Sequence, residues 1–283
     1  MTPATPYGGL TRDFWARKPL IGMVHLGPLP GSARYDAGAL PLSAVLERAA
    51  ADARALAAGG ADALMVENFF DAPFARDAVP PHTVAALTRA VLAVREAVGE
   101  ALPLGVNCLR NDARSALAIA HICGAQFVRI NVYVGAAVTD QGIIEGAART
   151  AVLYRRELGA DVAIFADVFV KHAATLGDPT AVTLEDAAKD AVLRGLADAL
   201  IVSGAATGAA TSPEDLRRVK AVLPDTPLLV GSGANVHTAA SLLAHADGAI
   251  VGTSLKRDGD VAAPVDPERV RALKNAMAAA PPR

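Results

Sequence analysis

Leu196-Ala197-Asp198-Ala199-Leu200-Ile201-Val202-Ser203-Gly204 and Ala246-Asp247-Gly248-Ala249-Ile250-Val251-Gly252-Thr253-Ser254 follow one plan. A lead-in of Ala, Asp and Gly opens onto an unbroken apolar run, which stops at glycine and hydroxyl residues. An unbroken run of that length marks a strand buried on both faces, as in a parallel sheet; a half-exposed antiparallel strand would alternate. Gly60-Ala61-Asp62-Ala63 opens another run in the same way. Working outward, strand-length runs recur at Leu20–Leu26, Ala63–Glu67, Leu104–Leu109, Phe127–Tyr133, Val162–Val170, Ala199–Ser203, Leu228–Gly231 and Ala249–Gly252. Their centres step by roughly 21 to 41 residues, room in each case for a loop and a crossover helix.

The segments between them carry apolar residues at helical spacing. They are Leu42–Ala58, Val84–Val98, Ala113–Ile122, Ala147–Leu158, Leu184–Leu196, Pro213–Val222 and Pro267–Met277, with a short helix expected from about Thr238. Asp112, Thr183 and Ser212-Pro213 are start signals; Gly59-Gly60, Gly99, Gly124 and Gly159 are stop signals. Eight strand-then-helix units predict a single (β/α)8 TIM barrel over residues 19–283 after an N-terminal extension, 1–18. Phe14-Trp15 in that extension would plug the barrel bottom. A doubly wound open sheet is the alternative, weakened because no Gly-x-Gly-x-x-Gly follows the first strand.

Composition narrows the class of function. The chain has 283 residues, 52% hydrophobic and 20% charged, a net charge of −2, a pI near 6.3 and a mean hydropathy of +0.32. That excludes a disordered chain and a bulk basic field for nucleic acid or anionic lipid. Two cysteines, Cys108 and Cys123, read as core thiols rather than a disulfide scaffold, which suits a reducing compartment. No secretory leader is evident. The long uncharged run Thr226–Ala246 has a polar centre, so no membrane span and a cytoplasmic location are expected.

In such barrels the functional face is the C-terminal end of the strands. Here every run ends in polar or glycine residues. The first reaches His25 and the second Glu67-Asn68; the third gives Asn107 with Arg110-Asn111-Asp112, and the fourth Arg129, Asn131 and Tyr133 at one parity. The fifth gives Asp167 with Lys171-His172 beyond, and the sixth Ser203-Gly204. Gly231-Ser232-Gly233 and Gly252-Thr253-Ser254 close the last two, the usual place for a phosphate held by backbone N–H groups, with Lys256 as added charge. Glu67 and Asp167 are candidate general acid/base groups, or structural partners of Arg129. His25 is a candidate proton carrier or a hydrogen-bonded barrel histidine, and Lys171 a nucleophile only if desolvated. Asn68, Asn107, Arg129, Asn131, Ser203 and Gly204 are candidate substrate-binding residues. A divalent metal on Glu67, Asp167 and His25 is an alternative without tight ligand spacing to support it. Thr139-Asp140-Gln141-Gly142, in the long connection after strand four, reads as a lid or as a solvated loop.

These blocks also carry a resemblance. Gly22-Met23-Val24-His25-Leu26-Gly27-Pro28-Leu29-Pro30-Gly31-Ser32, Glu67-Asn68-Phe69, Gly105 to Asp112, Arg129-Ile130-Asn131-Val132, Thr139 to Gly142, Asp167-Val168 and Val251 to Lys256 resemble the signatures of the BtpA/SgcQ family, in order from about Pro19 to Val270. The resemblance implies a TIM barrel of the ribulose-phosphate-binding type. It implies no settled reaction. The family is named for a cyanobacterial protein linked to photosystem I accumulation, and other members sit in sugar-metabolism gene clusters. One expectation is an enzyme acting on a phosphorylated sugar or nucleotide-like small molecule at the barrel mouth. Another is a non-catalytic assembly or stability factor for a membrane protein complex. A metabolite-binding barrel without turnover is a third, and homo-oligomers are common in the class.

Overall fold

The computed structural model describes residues 7–169, 173–176, 182–204 and 211–279. Its strands are β1 (Leu20–His25), β2 (Ala63–Glu67), β3 (Leu104–Asn107), β4 (Phe127–Ile130), β5 (Ala136–Thr139), β6 (Gly142–Glu145), β7 (Ala163–Val168), β8 (Ala173–Thr175), β9 (Ala199–Val202), β10 (Leu228–Val230) and β11 (Gly248–Val251). Eight of them close a barrel in the order β1-β2-β3-β4-β7-β9-β10-β11, every pairing parallel. The (β/α)8 barrel is therefore the fold, and the open sheet is excluded.

The helices are α1 (Arg12–Ala16), α2 (Leu42–Ala58), α3 (Pro81–Val98), α4 (Ala113–Ile122), α5 (Ala148–Glu157), α6 (Leu184–Lys189), α7 (Pro213–Val222), α8 (Ala239–Leu243) and α9 (Pro267–Ala278). The side chains of Asp112, Thr183 and Ser212 accept the N–H groups of Ser115, Asp186 and Asp215, so the caps expected from sequence form as capping chemistry requires. The helix expected to run from Leu184 to Leu196 departs from α-geometry, passing at Asp190–Arg194 into a π-helical turn. The connection after β4 is not a loop. It is the hairpin β5–β6, to which β8 adds an antiparallel third strand.

The repeated Ala/Asp/Gly lead-in has a mechanical role at the barrel bottom. Asp62, Asp198 and Asp247 each precede a strand, and each accepts an N–H from the start of the neighbouring strand, from Leu20, Ile164 and Leu228, at 2.7 to 2.8 Å. Each also donates its own N–H back to the same residue's carbonyl. A basic side chain from a helix closes each unit: Lys274 on Asp62, Arg155 on Asp198 and Lys220 on Asp247. Gln126 does the same for Leu104, with Arg95 donating to its amide oxygen. Burial pushes the Asp198 carboxyl up, and Arg155 pulls it back.

Strand alternation sorts the core into two layers. Leu20, Val24, Leu64, Val66, Val106, Val128, Ile164, Leu200 and Val230 face the helices. Ile21, Met23, Met65, Phe127, Phe165, Ile201, Leu229 and Ile250 fill the barrel. Leu10 and Phe14 of the N-terminal segment join this inner cluster, with Trp15 against Phe165 at 5.7 Å, which is the plug expected from sequence. The rings of Phe127 and Phe165 stack at 4.6 Å, and they fit because β3 carries Gly105 between them and the wall. A Cβ at Gly105 would lie 2.1 Å from Phe127 Cε2. We predict that Gly105→Ala lowers stability by about 1–3 kcal/mol in urea unfolding. The penalty should shrink in a Phe127→Leu background; equal penalties in both would show that the ring is not what the methyl meets.

Candidate functional site

Two residues beyond the inner core layer, each barrel strand presents one more position to the interior. Register places His25 beside Glu67, Glu67 beside Asn107 and Asn107 beside Arg129. The same parity on the remaining strands gives Asp167, Ser203, Gly231 and Gly252. The ring is thus six polar side chains and two glycines, and the glycines directly follow the adjacent strands β10 and β11.

The polar arc is closely paired. Asp167 accepts Arg129 Nε at 3.0 Å and Nη2 at 3.0 Å, and Asn131 Nδ2 donates to it at 2.8 Å. Glu67 accepts the Asn107 amide at 2.6 Å, and its other oxygen lies 3.9 Å from His25 Nε2. The His25 ring stacks on Phe69 at 4.4 Å. Burial alone would lower the Arg129 pKa, but Asp167 and Glu67 outweigh it and hold the guanidinium charged. Arg110 is buried as well, and its pKa is lowered by desolvation against the attraction of Asp167, Asp140 and Glu67. Asp140, at the exposed tip of the β5–β6 hairpin, is thus close enough to add to the field at Arg110.

The glycine arc is hollow. A cavity of about 210 Å³ opens there, walled by His25, Glu67, Phe69, Arg129 and the turns Gly231–Asn235 and Gly252–Ser254. Cβ atoms at Gly231 and Gly252 would stand 2.3 Å from Ser203 Oγ and 2.6 Å from His25 Cε1, so glycine is what lets those two side chains pack against the turns beside the cavity. Among the described residues, the N–H groups of Gly233, Ala234, Thr253 and Ser254 have no hydrogen-bond partner in the protein. A second cavity, of about 440 Å³, lies on the far side of the Arg129–Asp167 pair and includes Asn131, Asp167, Ser203 and Gly204 in its wall.

Several expectations need correction. Asn68 reaches neither cavity: its amide bridges Leu109 N–H at 2.8 Å and Asp71 at 3.2 Å, tying two loops together. Lys256 turns away from the mouth and pairs with the buried Asp52. The hydroxyls of Ser232 and Ser254 serve the scaffold, accepting from Gly204 N–H and donating to the Ala234 carbonyl. The short helix expected from about Thr238 is present as α8, Ala239–Leu243, with Thr238 at its N-cap. Parity does not carry Tyr133 inward, because β4 ends at Ile130; its hydroxyl instead donates to the Gly195 carbonyl. A metal on Glu67, Asp167 and His25 is not supported, since Asp167 is taken by Arg129 and no group of three metal-ligating side chains occurs among the described residues. Lys171 and His172 lie outside the described residues. Cys108 and Cys123 are buried thiols whose pKa values burial raises. The sequence reading gave no role to Phe69 or Arg110, although each directly follows a residue it singled out or sits in a block it quoted.

The sequence matches the profile of the BtpA family over residues 16–279, nearly the whole described chain. The chain belongs to the BtpA family. A relative from Synechocystis, "Photosystem I biogenesis protein BtpA", is 49% identical over 95% of this chain and 91% of its own. An uncharacterized protein of Thermococcus kodakarensis is 49% identical over 91% of this chain and 94% of its own. An uncharacterized mitochondrial protein of Caenorhabditis elegans is 34% identical over 89% and 91%. Among solved structures, phosphoribosyl anthranilate isomerase from Thermus thermophilus superposes with a TM-score of 0.54 at 14% identity, covering 92% of this chain and 98% of that one. OMP decarboxylase from Leishmania donovani gives 0.54 at 17%, covering 95% and 97%. At these identities the structural likeness concerns the fold, which the BtpA-family chain shares with TIM-barrel enzymes. No helix among the described residues is long and apolar enough to cross a membrane.

We predict that Asp167→Ala destabilises this BtpA-family barrel by about 3–5 kcal/mol, because it strands a buried guanidinium. The double variant Asp167→Ala/Arg129→Met should recover much of that loss in denaturant unfolding. A double variant no more stable than Asp167→Ala would argue against the pairing.

Proposed function

We propose that the barrel mouth binds a phosphorylated sugar or nucleotide-like small molecule and acts on it as an enzyme. The observation that carries this reading is the cavity at the turns that follow β10 and β11. It borders N–H groups without partners and the charged edge of Arg129. A phosphate suits such a place, since it is anionic, compact and rich in acceptors. Asp167 occupies Nε and Nη2 of Arg129, so Nη1 is the nitrogen left for a ligand oxygen, where developing negative charge would be stabilised. His25, in the cavity wall with Glu67 behind it, is placed to carry a proton, and Glu67 to orient the ring. The phosphoribosyl and OMP substrates in the names of two structural neighbours agree with this reading, through the fold alone.

A second reading, an assembly or stability factor, rests on the name of the Synechocystis relative. Relatives of 34–49% identity in a nematode and an archaeon, organisms without photosystem I, favour a chemistry not tied to that complex. Thermal unfolding separates the two. At a hundredfold excess over Kd, a ligand of the native state adds about 2.7 kcal/mol, a rise of several degrees in Tm. We expect that rise with inorganic phosphate or ribose 5-phosphate, and its loss in Thr253→Glu, which sets a carboxylate beside the free N–H groups. No rise in the unaltered protein, or the same rise in the variant, would sink the proposal.

A further inference from the structure

The second cavity is not needed to hold a phosphate, and its chemistry is different. Its wall is mixed, with Val132, Tyr133, Ala137, Val168 and Val182 as apolar members and Asn131, Asp167, Asp190 and Ser203 as polar ones. Two polar atoms in that wall have no partner: Asn131 Oδ1, on a side chain only 3% exposed, and Ser203 Oγ. A buried acceptor left unmatched is costly and asks for a donor. Asn131 cannot turn away to find one, because its Nδ2 is fixed on Asp167. Phe169 stands at the rim, 40% exposed, with φ at 52°, a conformation that a bulky residue rarely holds without a constraint.

The two cavities share a thin partition. Arg129 lines the first and its partner Asp167 the second; Gly231 lines the first and Ser203, against which its missing Cβ would press, the second. A molecule anchored in the glycine arc therefore has a partly apolar chamber with hydrogen-bond acceptors one side chain away. We propose, on the basis of the phosphate reading above, that the ligand has two parts. Its phosphate sits at the Gly231 and Gly252 turns, and a planar ring bearing an N–H donor sits in the second cavity against Asn131 Oδ1 and Ser203 Oγ. A nucleoside monophosphate or a similar phosphoribosyl heterocycle meets that description; a plain sugar phosphate leaves the chamber unused. The apolar members of the wall receive the ring faces, and the acceptors read its edge.

Titration calorimetry of the full chain with inorganic phosphate, ribose 5-phosphate, UMP and AMP tests this. A ring stacked against those apolar members should tighten binding about tenfold or more over ribose 5-phosphate for at least one nucleotide. Val182→Trp, at a cavity residue already 41% exposed and so able to carry a larger side chain, should erase that margin and leave ribose 5-phosphate binding unchanged. Ser203→Ala should reduce the margin in part. Ribose 5-phosphate binding with no nucleotide advantage would overturn this inference and leave the phosphate site standing. So would an advantage that survives Val182→Trp. Failure of all four probes to bind would overturn the phosphate reading, and this one with it.

Discussion

In a closed ring of parallel strands, every second side chain must share one small interior, and strand register decides which ones meet. That constraint organises this protein. The layer of Ile21, Met65, Phe127, Phe165 and Leu229 is apolar and filled. The next layer toward the strand ends holds Glu67, Asn107, Arg129 and Asp167, all buried. Charges taken out of water in this way are tolerated only when paired, and an apolar layer of similar volume is often as stable or more so. Stability therefore does not account for the choice of residues. The fork of Arg129 on Asp167 fixes two neighbouring strand ends in one geometry, and the Asn107 amide fixes the Glu67 carboxylate on the two strands next to them.

The two ends of the barrel divide the work. At the bottom, the Asp62, Asp198 and Asp247 units and their basic partners tie each strand to the one before it, while Leu10 and Phe14 seal the interior. None of those groups borders either mouth cavity. At the top, the paired polar side chains border a cavity at the turns after β10 and β11. A site built in this way is preorganised, because the strands set the positions of its charges before any ligand arrives.

The strands and the helices between them were legible because both faces of each strand are buried, which makes the runs continuous and easy to count. The top layer was legible for the same reason: His25, Glu67, Asn107, Arg129 and Asp167 all lie within or at the end of a run, where parity still holds. Beyond the run it fails. Tyr133 shares Arg129's parity in sequence, yet it sits among the outer core residues once β4 has ended at Ile130. Asn68 is a strand-end amide like Asn107, but it lies one position out of phase and serves the loops. Lys256 looked like a rim cation because nothing local signals Asp52, more than two hundred residues earlier in the chain. The β5–β6 hairpin escaped notice because its two-residue turn, Asp140-Gln141, lacks the glycine that usually marks one. Arg110 had no periodicity to place it, since it stands in a turn.

The hollow at β10 and β11 also bears on the choice between a catalyst and a scaffold. A protein that acts only through its outer surface has no use for a cavity inside its barrel mouth. Here the cavity lies at the turns after β10 and β11, where Gly231 and Gly252 let Ser203 and His25 close in, in the layer where a buried arginine and two buried carboxylates already stand. Each choice alone has a bland explanation, a tight turn in one case and an ion pair in the other. Together they set a vacancy beside charges held ready in a low-dielectric wall, the arrangement in which electrostatic interactions with a bound molecule are strongest.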